Sequence, residues 1–208
     1  MPCRFPLSGA VLAGGKSRRM GTDKRWVPVA GVPMVVRAID ALRPVADEVF
    51  VVGEAGHRGT PVPVFADLRR DHGPVAGIET ALVTARHEFV IVVAVDHPWL
   101  SSAVLALLVD RLVAEPDRLS VILGTTSGPQ PLIGAWRASA RPALGHLLDS
   151  GERRAMSLID HLPVDILAVA DWVALDPEGK TATDLDTPEE LHRASESSDD
   201  PPHERRPR

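Results

Sequence analysis

Residues 89–95, which read Phe-Val-Ile-Val-Val-Ala-Val, constrain the fold more than any other segment of the chain. The run is continuous, apolar and rich in β-branched residues, as expected for a central strand that is covered on both faces. Other short β-type runs alternate along the chain with longer segments of helical spacing. This alternation predicts parallel strands that are joined by crossover helices.

The predicted elements follow this alternating order along most of the chain. Strands are predicted at residues 9–13, 49–52, 62–65, 89–95, 120–123, 132–136 and 165–169, and helices at residues 34–42, 75–86, 102–113, 138–148 and 155–161. Pro74 suits the start of the second helix, where its missing N–H costs nothing. Ser101 or Ser102 can cap the third helix. Thr187 and Glu190 have the spacing of a capping box, which predicts that a last helix opens there.

These elements predict an α/β protein with an open three-layer sandwich and a mostly parallel, Rossmann-like sheet. A chain of 208 residues is long enough for one sizeable core and short for two. We therefore expect a single domain over residues 9–194, preceded by a flexible N-terminus at residues 1–8. Residues 195–208 lack apolar side chains to bury, and we expect them to form a disordered tail.

Composition excludes several classes of function. The formal net charge of −5 and the absence of aromatic residues among the basic ones argue against a nucleic-acid partner. No apolar run reaches the length of about 18 residues that crosses a bilayer, so we expect no membrane partner. The single cysteine, Cys3, fits a reducing compartment, and we expect a cytoplasmic protein. The eight histidines show no close ligand spacing, which argues against zinc.

The richest segment runs from residue 12 to residue 24 and reads LAGGKSRRMGTDK. It leaves the first predicted strand and combines three glycines with four basic side chains. Glycines let backbone N–H groups approach phosphate oxygens, and cationic side chains neutralise those oxygens. The segment therefore predicts a nucleotide phosphate site rather than a simple turn. The arginine pairs at residues 18–19, 69–70 and 153–154 also suit phosphate, although solvated surface pairs are the commoner case.

A Walker A phosphate loop is the main alternative for this segment. Gly15-Lys16-Ser17 has the sequence that ends such a loop, and residues 90–96 resemble a Walker B strand. However, the entry glycine of a Walker A loop would fall at position 10, which is Ala10. Val11 and Leu12 would then lie inside the loop, whereas they fit a strand. The sequence therefore disfavours a Walker A loop.

The segment resembles instead the signature loop of the molybdenum cofactor nucleotidyltransferases, and Gly14 favours the guanylyl-transferring branch. Four further motifs resemble that family in the same order, so that the resemblance covers roughly residues 9–193. They are GPVAG at residues 73–77, VDHPWL at 95–100, GERR at 151–154 and DLDTPEEL at 184–191. The resemblance implies a GT-A-like nucleotidyltransferase architecture. It also implies GTP and Mo-molybdopterin as substrates, and transient contacts with proteins that deliver molybdopterin or mature molybdoenzymes.

The resemblance implies roles for individual residues. Asp96 would hold Mg²⁺, and it would act in catalysis together with Lys24 and Arg19, which would contact phosphates. The residues implied to bind the nucleotide are Leu12, Ala13, Gly14, Gly15, Lys24, Asp67 and Asp96. Two of these assignments have a simpler alternative: Asp96 would only cap the turn before Pro98, and Asp67 would only form a turn.

Some positions depart from the family pattern and leave the choice of base open. Gln130 stands where the family often has histidine, and Gly53 stands where it often has asparagine. Asp184 and Asp186 replace two asparagines, as in the cytidylyl-transferring branch, and Asp186 is a candidate to join Asp96 at the metal. The expected reaction is guanylyl transfer, with two alternatives: cytidylyl transfer to the same acceptor, or a non-catalytic carrier of molybdopterin or GTP.

Overall fold

The computed structural model describes residues 5–14, 24–53, 59–187 and 189–190, with only the backbone of Lys24. The strands are β1 (Leu7–Leu12), β2 (Pro28–Val29), β3 (Val32–Pro33), β4 (Glu48–Val52), β5 (Val64–Phe65), β6 (Phe89–Ala94), β7 (Ser120–Thr125), β8 (Gly128–Arg137) and β9 (Val164–Leu167). The helices are α1 (Met34–Leu42), α2 (Gly73–Thr84), α3 (Ser102–Ala114), α4 (Arg141–Asp149), α5 (Ser157–His161) and α6 (Val169–Trp172). Short 3₁₀ turns occupy Lys24–Trp26, Ala138–Ala140 and Lys180–Ala182.

Seven strands form one sheet in the order β5-β4-β1-β6-β8-β7-β9. The pairs β5–β4, β4–β1, β1–β6 and β7–β9 are parallel, which confirms the mostly parallel sheet. β8 is antiparallel to both β6 and β7. The expectation of parallel strands joined by crossover helices does not hold for β8, because the turn between β7 and β8 is too short for a crossover and forces a hairpin.

Helices cover both faces of the sheet, and β1 shows how the sequence divides between them. Leu7 and Val11 belong to the core cluster that includes residues of α1 and α3. Ala10 and Leu12 belong to the opposite cluster, which includes residues of α2 and α4. Successive side chains of a strand point to opposite faces, so a strand that is buried on both sides is apolar throughout. The predicted three-layer sandwich is confirmed.

Most predicted boundaries agree with the structure to within a few residues. Helix α1 spans the residues predicted for it, and α2 begins at Gly73 with Pro74 in its first turn, as expected. β1 begins at Leu7, two residues before its predicted start at Gly9. The predicted strand at residues 165–169 ends at Leu167, and Val169 begins α6 instead.

The two predictions of helix caps had different outcomes. Neither predicted serine caps α3 with its side chain. The Ser101 N–H donates to the Thr181 hydroxyl at 3.0 Å, and the Ser102 hydroxyl donates to the Ala41 carbonyl at 2.7 Å. Tertiary partners therefore replace the local cap.

The capping box near the C-terminus is confirmed. A carboxylate oxygen of Glu190 accepts the N–H groups of Asp186 and Thr187 at 2.8 and 2.9 Å. The Thr187 hydroxyl accepts the Glu190 N–H at 3.2 Å. The chain beyond Glu190, with the predicted tail, lies outside the described residues. Among the described helices, none has the length and apolar character needed to cross a membrane.

Two glycines allow a matched test of the packing. A Cβ at Gly124 in β7 would lie 2.7 Å from the Leu167 carbonyl oxygen of β9, whereas a Cβ at Gly145 in α4 would meet nothing closer than 3.5 Å. We expect Gly124→Ala to destabilise the protein by about 1–3 kcal/mol, because backbone must move. Gly145→Ala should stabilise it by about 0.5–1 kcal/mol through helix propensity. Urea unfolding of both variants measures the two effects, and shifts of the same sign would contradict this packing.

Candidate nucleotide site

The candidate site lies where four neighbouring parallel strands end. Backbone pairing continues past the strand ends: the Ala13 N–H donates to the Val52 carbonyl at 2.8 Å, and the Val95 N–H donates to the Leu12 carbonyl at 3.0 Å. Helix α1, which follows β1, and helix α2, which precedes β6, lie on opposite faces of the sheet. Connections that leave on opposite faces open a crevice at the carboxyl edge, where ligands bind in open α/β sheets.

Three glycines bring backbone segments close together at this edge. A Cβ at Gly53 would lie 2.9 Å from the Ala13 carbonyl oxygen, and one at Gly14 would lie 3.1 Å from a carboxylate oxygen of Asp67. A Cβ at Gly77 in α2 would lie 3.4 Å from the Leu12 side chain and 3.7 Å from the other Asp67 oxygen. The end of β1 and the first turns of α2 therefore approach the Asp67 carboxylate at glycine positions, and the end of β4 packs against the end of β1.

Asp67 is partly buried in this setting. Loss of hydration raises the pKa of its carboxyl above the ordinary value of 3.8, because burial disfavours the charged form. A partly desolvated carboxylate gains from new N–H donors. The structure thus brings Asp67 together with Leu12, Ala13 and Gly14, as the sequence predicted, and its surroundings suit a ligand that offers N–H groups.

Asp96 lies two residues after the end of β6, at the same edge. Its side chain is 30% exposed, and a carboxylate oxygen lies 3.7 Å from Nε2 of the buried His97. The carbonyl of Asp96 accepts the N–H of Leu185 at 3.0 Å. This bond brings Asp184 and Asp186 to the carboxyl end of β6. Both belong to the DLDTPEEL motif at residues 184–191, called the closing motif below.

The closing motif is anchored by one apolar side chain between two exposed carboxylates. Leu185 is buried and belongs to the same core cluster as Val95, whereas Asp184 and Asp186 are exposed on either side of it. Within the described part of the chain, no three His, Cys, Asp or Glu side chains cluster as a metal site. However, Mg²⁺ prefers one or two carboxylates and completes its shell with phosphate oxygens and water. Accessible carboxylates at the edge where a nucleotide would bind fit that requirement.

The GERR motif forms a turn beside the first residues of α2. One Glu152 oxygen accepts the N–H groups of Arg153 and Arg154 at 2.8 and 2.9 Å. Chiefly because of the Arg154 N–H, the pKa of Glu152 falls to about 2. A Cβ at Gly73, whose φ is +73°, would lie 2.8 Å from the Arg153 carbonyl oxygen, so only glycine fits there.

A cavity of about 300 Å³ lies next to this turn. It is lined by Pro129, Arg154, Met156, Ser157, Ile159 and Asp160. Its walls combine apolar and polar side chains. Gln130, a departure from the family pattern, follows Pro129 in β8.

The arginine pairs differ in their surroundings. Arg69 donates to both oxygens of Glu79, at 2.9 and 3.2 Å, and also to Asp149. Its guanidinium therefore joins α2 to α4, and a phosphate role for Arg69 is not supported. Arg154 pairs loosely with Glu152 at 3.4 Å and remains 83% exposed.

Several predicted site residues lie outside the described part of the chain. These are Gly15 and Arg19, together with the side chain of Lys24. Sequence reasoning missed Arg25, whose Nη1 donates to the Ala13 carbonyl at 3.3 Å and so links the two ends of the signature loop. The only signal for Arg25 was its place directly after Lys24. Gly77 belongs to the GPVAG motif, but its closeness to Asp67 follows from the fold and could not be predicted from the motif.

Comparison with known proteins identifies the family. The profile of the MobA-like NTP transferase domain matches residues 9–166. The chain belongs to this family. The resemblance inferred from the five motifs is therefore confirmed, and the chain is a nucleotidyltransferase.

Relatives match the chain over nearly its full length. The molybdenum cofactor guanylyltransferase of Rhodobacter capsulatus is 33% identical over 197 residues, which cover 91% of this chain and 95% of the relative. A probable molybdenum cofactor guanylyltransferase of Chloroflexus aggregans is 30% identical over 196 residues, which cover 92% of this chain and 94% of the relative.

Two solved structures share the fold. Molybdopterin-guanine dinucleotide biosynthesis protein A from Archaeoglobus fulgidus superposes with a TM-score of 0.77 at 23% identity, covering 91% of this chain and 97% of that protein. A 2-C-methyl-D-erythritol 4-phosphate cytidylyltransferase from Thermus thermophilus gives a TM-score of 0.64 at 14% identity, covering 89% and 96%. The predicted nucleotidyltransferase architecture is confirmed.

The burial of Asp67 predicts a pH-dependent cost in stability. Because its pKa is raised in the folded protein, the stability of the wild type falls as pH rises from 3.8 through the folded pKa. Asp67→Asn cannot ionise, so we expect the variant to be more stable than the wild type near neutral pH, with the difference shrinking in acid. Denaturant unfolding at roughly pH 4 and pH 7 measures this difference. Asp184→Asn, which removes an exposed carboxylate, is the control, and an equal response of both variants would contradict the burial argument.

Proposed function

We propose that the protein transfers GMP from GTP to Mo-molybdopterin, forming molybdopterin guanine dinucleotide and releasing pyrophosphate. The observation that carries this proposal is the convergence of Asp67, Asp96 and the glycine-lined end of β1 on one edge of the sheet. The guanylyltransferase names of the relatives support the choice of reaction.

Asp67 would select the base. The Watson–Crick edge of guanine offers two neighbouring N–H groups, which the two oxygens of a carboxylate can accept together. Cytosine offers one amino group beside two acceptors, and these acceptors would face carboxylate oxygens unfavourably. The desolvation of Asp67 strengthens this distinction, because an unmatched buried charge is costly. We therefore favour guanylyl over cytidylyl transfer, despite the two aspartates of the closing motif.

Positioning and charge neutralisation would supply most of the catalysis. A terminal phosphate of the acceptor attacks the α-phosphate of GTP, a bond forms to the α-phosphorus, and the bond to the pyrophosphate oxygen breaks. Backbone N–H groups of the signature loop, with Lys24 and Arg19, would hold the triphosphate in line for this attack. Asp96 and Asp186 would hold Mg²⁺, which when bound neutralises charge on the phosphate oxygens.

The acceptor would approach from the side of the GERR turn. The cavity beside Arg154 is large enough for part of a small molecule, and its mixed walls suit a heterocycle that carries a phosphate. The exposed Arg154 guanidinium is available to an incoming anion despite its loose pairing with Glu152. Proteins that deliver molybdopterin, or that receive the product, remain predicted transient partners. The cytoplasmic location also remains a prediction.

The proposal is tested by Mg²⁺-dependent pyrophosphate release with Mo-molybdopterin and GTP, CTP or ATP. We expect release with GTP, and we expect Asp96→Asn to lower turnover by roughly 10²-fold or more, because charge stabilisation is lost. Asp110→Asn, an exposed position in α3, is the matched control and should retain full turnover. Release with CTP alone would reverse the base assignment. No release with any nucleotide would favour the carrier alternative, and an active Asp96→Asn would remove the metal assignment.

Lys24 provides a separate test of the phosphate site. We expect Lys24→Ala to weaken GTP binding by roughly tenfold to a hundredfold, as loss of a charge-assisted hydrogen bond does. Isothermal calorimetry measures this affinity. Arg86→Ala removes an exposed cation near the amino end of β6, at the opposite edge of the sheet, and should leave the affinity unchanged. Equal affinities in the wild type and Lys24→Ala would assign Lys24 to the solvated surface.

A further inference from the structure

The segment that follows Asp67 is fastened to α2 by a buried hydroxyl. Thr80 is 1% exposed, and its hydroxyl oxygen accepts the N–H of Leu68 at 3.0 Å. The same hydroxyl donates to the carbonyl of Ala76 at 2.8 Å, one turn earlier in α2. The direction of both bonds is therefore fixed, and the peptide next to Asp67 is held at a defined place on the helix.

The next residue, Arg69, forms a second attachment of this segment to α2. Arg69 binds Glu79, the neighbour of Thr80 in α2, through two parallel hydrogen bonds, and it also binds Asp149 of α4. Planar guanidinium–carboxylate pairs of this kind fix orientation as well as distance. Two consecutive residues after Asp67 are thus tied to two consecutive residues of α2.

The segment is also supported by β5, where the Gly53 N–H donates to the Phe65 carbonyl at 2.9 Å and the Phe65 ring contacts Phe50. The preceding strand β5 has only two residues and lies at the edge of the sheet, and Phe65 in it is 41% exposed. The Leu68 side chain is 59% exposed, so it contributes little apolar burial. Because water would favour the ionised Asp67 carboxylate, an unfastened segment would relax outward. The hydroxyl of Thr80 opposes that relaxation at the residue next to Asp67.

We infer that Thr80 is a positioning residue for base selection: it keeps the Asp67 carboxylate beside Gly14 and Gly77, where a guanine edge can meet both oxygens. This inference rests on the proposed role of Asp67 in guanylyl transfer. A two-point contact with a base tolerates little displacement, since both hydrogen bonds need normal length and angle. Thr80 therefore acts on specificity without touching the nucleotide.

The test compares GTP with ITP, whose base lacks the 2-amino group, as substrates of Thr80→Val and Thr80→Ser. We expect the wild type to prefer GTP by roughly tenfold in kcat/KM, as loss of one hydrogen bond to a charged group predicts. Thr80→Val, which keeps the shape but loses the hydroxyl, should lose most of this preference through a higher KM for GTP at little-changed kcat. Thr80→Ser should restore the preference. Thr84→Val, at the far end of α2, is the matched control.

Each outcome separates the inference from the proposed function. Equal losses with GTP and ITP, or an unchanged preference in Thr80→Val, would overturn the role of Thr80 while leaving guanylyl transfer intact. A wild type that releases no pyrophosphate with GTP would overturn the proposed function, and the inference with it. If Thr80→Val does not fold, as judged by its thermal transition, Arg69→Gln removes the neighbouring fastening and should reduce the same preference. An unchanged preference in a folded Arg69→Gln would overturn positioning by this pair of fastenings.

Discussion

The site depends on the backbone pairing of β1 with both neighbours at its carboxyl end. β1 is hydrogen-bonded to β4 and β6 along its length, and the pairing continues through Ala13 and Val95. A strand held on both sides and covered on both faces has very little freedom, so the residue after it leaves from a fixed point and in a fixed direction. The position and direction of the first residues of the signature loop are therefore set by β1. The close approaches of Gly14, Gly53 and Gly77 are useful only because this frame does not move.

Two carboxylates at this edge have different environments and accordingly different proposed tasks. Asp67 is partly desolvated among backbone segments, which suits recognition of a neutral base through its N–H groups. Asp96 is also partly buried, at 30% exposure, but its carbonyl accepts the Leu185 N–H and so brings the exposed Asp184 and Asp186 to the end of β6, which suits a hydrated cation. The same side-chain chemistry is thus divided by its neighbours: backbone segments around Asp67 suit base reading, and further carboxylates near Asp96 suit charge neutralisation.

The sequence was sufficient for the layers, the central strand and most strand and helix boundaries, because hydrophobic periodicity and Gly or Pro signals record burial and chain reversal. The family resemblance implied a shared site for Leu12, Ala13, Gly14, Asp67 and Asp96, and the carboxyl ends of neighbouring strands bring these residues to one edge of the sheet. The β7–β8 hairpin was missed because periodicity does not record strand direction. Ser101 found a tertiary partner, Thr181, that local capping rules cannot foresee. The fastening of Leu68 by Thr80 was equally invisible, since a threonine inside a helix gives no sign of which distant N–H its hydroxyl accepts.

The turn after β6 receives the end of the chain at two points, through Thr181 at Ser101 and through Leu185 at Asp96. These contacts join segments that are far apart in sequence, so they form late when a chain folds as it is synthesised from its N-terminus. The groups proposed to read the base lie within residues 14–80, and the strand pairing that frames them is complete with β6. The proposed cation-binding half also needs Asp186, so it stays incomplete until the segment at residues 181–186 has been synthesised and has docked. A chain synthesised only through β6 would therefore hold the groups that contact the base before it holds both carboxylates proposed for Mg²⁺.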